Sequence, residues 1–581
     1  MIRKLIGYVG EYKKNALLSP LLVTVETICE LFLPLLMADI IDKGINGTGG
    51  MPVIWRCGGL MLVLSCLSMY CGVAAAKHAS TASQGFGRNL RSDMFRQIQR
   101  FSFGDIDRFS SASLITRITN DVNTLQMTVG MAVRLLVRAP VQLFSALAVC
   151  LILNARLTLI LAAAIPVLIG SAALLMKICY RLFRIFQEKI DGLNNTVQEN
   201  LVGIRVVKAF VRGNHERKKF NEASNQLQKA GLDAVMRLIL MFPVMTIILN
   251  AAILLVFWFG GRQVAMGTML TGDLFSFYSY IAQVLMSVLM VAMCLLQVTR
   301  ASACGKRILE VLEAQPDICD NPNTKSSDLP QADGRVEFRN VSFKYGSGSG
   351  DTVLKDISFT VQPGQFVAIV GGTGTGKSTL VNLIPRFYDV ADGSVLVDGR
   401  DVREYPIREL RSRIGMVLQK NVLFSGTIRE NLLWGDDNAT EEEMIQAAKN
   451  AQAHEFILSF PDGYDTVLEQ GGVNVSGGQK QRLCIARAML RKPAILILDD
   501  STSAVDTATE AEIRRSFSEN LKGTTVIIIA QRISSVRWAD QILVLDDDHI
   551  AARGTHDELM KTSEIYQEIY HSQQEGAIDN G

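Results

Sequence analysis

The stretch Gly371-Gly372-Thr373-Gly374-Thr375-Gly376-Lys377-Ser378-Thr379 decides how the second half of this chain folds. It follows an apolar run, Phe366-Val367-Ala368-Ile369-Val370, that reads as a short buried strand. It precedes Leu380-Val381-Asn382-Leu383-Ile384, a first helical turn. Strand, glycine loop and helix in that order is the setting in which the pattern G-x-x-x-x-G-K-[ST] binds phosphate. Glycines let backbone N–H groups close around phosphate oxygens, and the helix N-terminus adds partial positive charge. Lys377 is placed to reach the β- and γ-phosphates, and the Ser378 hydroxyl to ligate Mg²⁺. The alternative, a glycine turn with a chance lysine, fits poorly with a complete motif in its full context. The expectation is a nucleoside triphosphate, ATP or GTP, with Mg²⁺.

From Arg335 onward short β-like runs alternate with helical ones: Val336–Phe343, Phe366–Val370, Val395–Val397, Ile495–Leu498, Val526–Ile529 and Ile542–Leu545. That alternation predicts an α/β domain with a mostly parallel sheet over 335–575, followed by a tail, 576–581. Ile495-Leu496-Ile497-Leu498-Asp499 is an apolar strand ending in a carboxylate, which puts Asp499 where the Mg²⁺ shell would be. Many strands end in Asp; the phosphate loop gives this one its meaning. Val475-Ser476-Gly477-Gly478-Gln479 stands just before a helical run, Lys480 to Leu490; taken alone it is an ordinary glycine-rich helix start, and beside the phosphate loop it suits a second phosphate-binding arrangement.

The first half is different in kind. Of the 581 residues 48% are hydrophobic, and these crowd before residue 300. Six apolar stretches are long enough for the roughly 20 residues a bilayer needs: 17–41, 51–76, 129–153, 157–182, 238–259 and 274–296. Only Asn154-Ala155-Arg156 separates the third and fourth, so an antiparallel hairpin is expected. The long polar stretches 77–123 and 184–237 and the N-terminal segment hold most of the Lys and Arg, which places them and both termini in the cytoplasm. The first apolar stretch is too long for a signal-peptide core and reads as a retained membrane helix. Residues 1–315 thus form an all-α transmembrane domain, joined by a polar linker, 316–334, to the cytosolic α/β domain. The formal net charge of +2 offers no basic patch for nucleic acid. The ten cysteines form no C-x-x-C pair, and Cys29, Cys66, Cys71, Cys150 and Cys294 sit in apolar runs as small buried hydrophobes.

Phosphate loop, Gln419, Ser476-Gly477-Gly478-Gln479, the strand ending in Asp499, and Ser503-Ala504-Val505-Asp506 stand in an order that closely resembles the ATP-binding-cassette (ABC) transporters. With six preceding spans the whole chain is similar to a half-transporter of the ABC exporter class. The resemblance implies roles. Tyr345 matches the aromatic that stacks on adenine, and Gly371–Thr379 the Walker A loop. Gln419 matches the glutamine that meets the metal, and Asp499 the Walker B aspartate. Val475–Gln479 is the signature that contacts ATP held by the other subunit, and Asp506 is the D-loop aspartate. Residues 109–122 and 202–220 resemble the two cytoplasmic coupling segments. Two cassettes closing head to tail on two ATP molecules require a dimer.

Two positions depart from the family. After the Walker B aspartate a glutamate usually serves as general base; here it is Asp500. The switch histidine is replaced by Gln531, in Ala530-Gln531-Arg532. Asp is one methylene shorter, and a general base must sit within about 2.6–3.2 Å of its proton donor. A displacement of about 1 Å can cost on the order of 100-fold in rate. Gln531 can donate a hydrogen bond but cannot become cationic. The pattern resembles the degenerate subunit of bacterial heterodimeric multidrug exporters in the plasma membrane. It implies a partner half-transporter whose Walker B carries the catalytic Glu and whose site is completed by this chain's signature. Membrane lipid and an amphipathic or hydrophobic small molecule are the other expected partners. A homodimeric lipid or peptide exporter, and an ATP-binding regulatory half with little turnover, stay open as alternatives; a non-transporting cassette ATPase does not suit six fused spans.

Cargo is weakly specified. Glu26 and Glu30 share a face of the first span, and Arg134 and Arg138 a face of the third. Glu26 and Arg138 fall at similar depth, so they are expected to pair, or else Glu26 and Glu30 line a cavity for cationic compounds. Met286, Met290 and Met293 form a stripe in the sixth span, either adaptable binding surface or plain packing.

Overall fold

The computed structural model describes residues 2–320, 330–346, 352–500 and 506–578. Ser503, Ala504 and Val505, residues 321–329 of the expected linker and the end of the tail lie outside these, as does the Met293 side chain. The chain forms two compact units: residues 1–98 with 112–314, and residues 99–111 with 315–581. A single division near 315 therefore misses one segment, Gln99–Ser111, which belongs with the nucleotide domain. Its short helix Phe103–Phe109 is capped by Ser102 and Asp105. Phe103 stacks on Phe387 at 4.4 Å, and the Tyr388 hydroxyl donates to Asp107 at 2.8 Å. This segment lies at the N-terminal side of the stretch 109–122 to which the resemblance pointed.

The first unit is helical. Its long helices are α1 (Lys13–Asp39), α2 (Gly50–Ile98), α3 (Val122–Leu153), α4 (Ala155–Val202), α5 (Gly213–Ile239), α6 (Met241–Ala265) and α7 (Thr271–Glu313). At about 1.5 Å per residue α2 and α4 exceed 70 Å, more than twice a bilayer core, so both run well beyond any membrane they cross. Among the described residues, four helical stretches are long and apolar enough to cross one: Lys4–Ile45, Gly50–Ile98, Ser111–Leu153 and Gly213–Ala265.

α1 packs on α2, and α3 on α7, while α4 packs chiefly on α5 and α6. The expected hairpin is thus tighter and looser than anticipated. Asn154 alone connects α3 to α4, and its Oδ1 accepts from the N–H groups of Arg156 and Leu157 at 3.1 and 3.2 Å, capping α4. Yet the two helices spend most of their surface on other neighbours. The Asn154 amide nitrogen donates to Gln263 Oε1 of α6 at 2.5 Å. Two hydroxyls of α7 donate to the α1 backbone around Pro34, Tyr280 to the Leu31 carbonyl and Ser276 to the Pro34 carbonyl, each at 2.6 Å. Cys29, Cys71, Cys150 and Cys294 are buried as expected, but Cys66 is exposed; it stands on the outer side of α2 beside exposed Leu62 and Met69.

The second unit carries strands β1 (Val336–Phe343), β2 (Leu354–Val361), β3 (Phe366–Gly371), β4 (Asp392–Val397), β5 (Arg400–Asp401), β6 (Ile414–Val417), β7 (Gly426–Thr427), β8 (Val467–Leu468), β9 (Ile495–Asp499), β10 (Thr525–Ile529), β11 (Gln541–Asp546) and β12 (His549–Gly554). A six-stranded sheet runs β12-β11-β3-β10-β9-β6, parallel except for β12. A second, antiparallel sheet runs β2-β1-β4-β5. In the parallel sheet Ala368, Leu496, Ile528 and Val544 enter one apolar core, and Val367, Ile497, Ile527 and Leu543 the other. Side chains alternate between faces and both faces are covered, so these strands are apolar throughout.

Candidate functional site

Ligands of a parallel sheet bind beyond the carboxyl ends of its strands, and the expected nucleotide residues gather at that edge. β3 ends at Gly371, β9 at Asp499, β10 just before Ala530-Gln531, and β6 just before exposed Gln419. The register places Ile529 opposite Asp499 and Val417 opposite Leu498, so the ends are level.

The loop from β3 to α8 (Lys377–Leu383) cannot carry side chains where it turns. A Cβ at Gly371 would stand 2.3 Å from the Leu545 carbonyl oxygen, and Gly376 enters α8 at φ 83°. Lys377 Nζ folds back on the loop, donating to the carbonyls of Gly371 at 3.1 Å and of Gly372. Burial pushes its pKa below the ordinary lysine value, opposed by the carboxylates of Asp500 and Asp499. Ser378 Oγ donates to Asp499 Oδ1 at 3.0 Å. Asp499 is buried, and burial pushes its carboxyl pKa up, against the Ser378 hydrogen bond. A buried carboxylate beside a hydroxyl is an oxygen pair suited to a hard cation such as Mg²⁺, which takes few protein ligands and completes its shell with phosphate and water. The residues present therefore fit the nucleotide and its metal: loop amides and Lys377 for phosphate, Ser378 and Asp499 for Mg²⁺.

Tyr345 stands at this loop with its hydroxyl 2.9 Å from Thr379 Oγ1, and its ring meets Phe343 and Tyr388 edge-on. The partner that sequence reasoning missed here is Tyr388; its place follows from Phe387-Tyr388 lying just after α8. Asp500 takes φ 48°, its N–H donates to the Ile529 carbonyl at 3.2 Å, and its Oδ2 accepts from Gln531 Nε2 at 2.6 Å. The two departures from the family pattern are thus bonded to each other. Ser476 caps α9 (Gly477–Leu490): its Oγ accepts from the Gln479 N–H at 3.3 Å, and its own N–H donates to Gln479 Oε1 at 2.9 Å. Val475 is buried beneath, while Ser476 and Gly477 are exposed at a helix N-terminus. Asp506 caps α10 (Thr507–Asn520), accepting from the Thr509 N–H at 2.9 Å, which holds its carboxyl below the usual range.

In the helical unit Glu26 and Glu30 come together on Arg138, at 2.7 and 2.8 Å. Among the described residues, the cavity they line with Arg134 includes neither Met286, which is exposed, nor Met290, which is half-buried.

A phosphate loop, a buried metal-binding aspartate and a capped glycine signature on one sheet edge, carried on the same chain as a unit of long apolar helices, define a transport-type ATPase. Residues 16–288 match the family model of the ABC transporter transmembrane region, and residues 354–503 the family model described as ABC transporter. The chain is 40% identical to the uncharacterized ABC transporter ATP-binding protein YfiB of Bacillus subtilis over 98% of both chains. It is 35% identical to an ATP-dependent lipid A-core flippase of Syntrophus aciditrophicus, covering 87% of this chain and 83% of that one. It is 33% identical to the putative multidrug export protein YgaD of Bacillus subtilis, over 98% and 99%. A bacterial Atm1-family ABC exporter solved with ATP bound superposes with a TM-score of 0.79 at 25% identity, covering 97% of this chain and 98% of that one. The chain belongs to the ABC transporter family and is an ABC exporter: a transport-coupled ATPase that binds ATP with Mg²⁺.

Lys377→Ala is expected to weaken ATP binding by about 10- to 100-fold, since a hydrogen bond to a charged group contributes about 1.5–3 kcal/mol. In the unaltered chain the affinity should fall as pH rises, starting below the ordinary lysine pKa of about 10.4, because burial makes Lys377 release its proton early. Titrating a fluorescent ATP analogue from neutral to alkaline pH checks both; a profile identical in the Lys377→Ala variant would assign the pH effect elsewhere.

Proposed function

We propose that this chain is one half of a heterodimeric exporter of amphipathic small molecules, and that it holds ATP at a site of low hydrolytic competence. The hydrogen bond from Gln531 to Asp500, at 2.6 Å, carries this reading. It occupies, on a carboxylate already one methylene short, an oxygen that a general base would need for water. Everything required to bind ATP is intact beside it: Gly371, Gly372, Thr373, Gly374, Thr375, Gly376, Lys377, Ser378, Thr379 and Asp499. The signature Val475–Gln479 then serves the partner's site, where turnover occurs. The likeness to a protein named as a putative multidrug exporter supports the cargo class. Six spans, cytoplasmic termini and a bacterial plasma membrane complete the reading; four long apolar helical stretches among the described residues and the basic residues of the polar stretches support a membrane protein of this kind. A homodimeric lipid exporter is the second reading, favoured by the likeness to a lipid A-core flippase.

The test is steady-state ATPase activity in lipid, for this chain alone and co-purified with a candidate partner half. Low activity alone, high activity in the mixture, and less than about a twofold change on Asp500→Asn in the mixture are expected. High activity from the chain alone would replace the heterodimer with the homodimer.

A further inference from the structure

Arg138 faces two carboxylates with one charge. Its Nη1 donates to Glu26 Oε1 at 2.7 Å, and its Nη2 to both oxygens of Glu30 at 2.8 Å. Glu26 Oε2 is buried and has no hydrogen-bond partner among the described residues. Both glutamates line a cavity of about 540 Å³ with Ser68, Gly72, Val73 and Arg134. A Cβ on Gly72 would stand 3.0 Å from Glu26 Oε1 and 3.4 Å from Oε2, so the carboxylate lies against that wall. The Glu30 side chain is 28% exposed and the Glu26 side chain 10%. The terminal torsion of glutamate is soft, so a small rotation presents Oε2 to the cavity.

Arg138, Glu26 and Glu30 together carry one net negative charge, which Arg134 elsewhere on the cavity wall balances, and one acceptor of Glu26 has no donor among the described residues. A buried acceptor left unfilled is costly; beside two carboxylates that share one guanidinium, a donor that brings an N–H and a positive charge together completes it best. A primary ammonium brings both, a quaternary ammonium has no N–H, and a hydroxyl has no charge. Glu26 is 13 residues from either end of α1, about 20 Å along the helix. An ammonium reaching that depth must arrive on an amphiphile, and exposed Met69 and Val73 at the cavity offer its chain an apolar surface. Arg134 stands one turn from Arg138 on α3 and lines the same cavity, placed for an anionic group on the same molecule. We infer that this cavity binds the ammonium of a primary-amine amphiphile. The inference extends the proposed transport of amphipathic compounds by naming the group recognised.

The experiment titrates the full-length protein in micelles with short-chain phosphatidylethanolamine, the matching phosphatidylcholine, and dodecylamine, counting bound molecules by native mass spectrometry. The primary amines should bind at least about tenfold more tightly than phosphatidylcholine, the effect of one charge-assisted bond. A lead for phosphatidylethanolamine over dodecylamine assigns a lipid headgroup, and the reverse assigns a free amine. Glu26→Gln should abolish the preference. Gly72→Ala, which crowds the same wall and changes no charge, should weaken amine binding while melting like the unaltered protein. Equal binding of phosphatidylethanolamine and phosphatidylcholine, or an unchanged preference in Glu26→Gln, overturns the inference. Intact amine binding without transport would count against the proposed export and leave the site standing.

Discussion

Arg138→Leu is expected to destabilise the helical unit by about 3–5 kcal/mol, the usual result of removing one member of a buried ion pair. The guanidinium is three-quarters buried, at 24% exposure, and Glu26 more so, at 10%. Neither carboxylate has another cation bonded to it among the described residues. Removing the guanidinium therefore strands two acids. Replacing all three residues with leucine should recover most of the loss, because a buried charge cluster is often no more stabilising than apolar side chains of similar volume. Thermal unfolding in micelles reads both variants. An Arg138→Leu protein that melts like the unaltered one would mean that Glu26 and Glu30 reach water.

Asp500→Glu combined with Gln531→His should raise the chain's own ATPase rate on the order of 100-fold. That is the scale expected when a general base moves by about 1 Å into reach. Asp500→Glu alone should give less. Gln531 would still donate to the longer carboxylate, and no imidazole would stand beside the γ-phosphate. The left-handed backbone at Asp500, φ 48°, suits Asp better than Glu. Part of the gain in rate is therefore expected to come with a lower melting temperature. Phosphate release by the chain alone, without a partner, is the measurement. No gain in the double variant would place the defect elsewhere and remove the main support for a degenerate site.

Much of the nucleotide site was legible because its signals are local. Strands buried on both faces must be apolar throughout, so β3, β9, β10 and β11 were found within a residue or two. Glycines at Gly371 and Gly376 answer backbone demands that no other residue meets as well. β2 (Leu354-Lys355-Asp356-Ile357-Ser358-Phe359-Thr360-Val361) was missed because only one face is buried and two charges interrupt it. The contact between Asp500 and Gln531 spans 31 positions and depends on the β9–β10 register, which no spacing rule supplies. In the helical unit, depth counting brought Glu26 to Arg138. It could not show that Arg138 also serves Glu30, because that depends on side-chain direction. The transfer of Gln99–Ser111 to the nucleotide domain was hidden for a related reason. Its aromatic anchors, Phe103 and Phe387, are far apart in sequence and ordinary taken singly.

Asn154 also sets how the helices can move. One side chain caps α4 and clasps Gln263 of α6, and its backbone closes α3. Rods riveted at one end by a single joint can pivot about it but cannot slide past one another there. Splaying of these three helices during a transport cycle therefore has to grow with distance from Asn154, and the widest gap must open at their far ends.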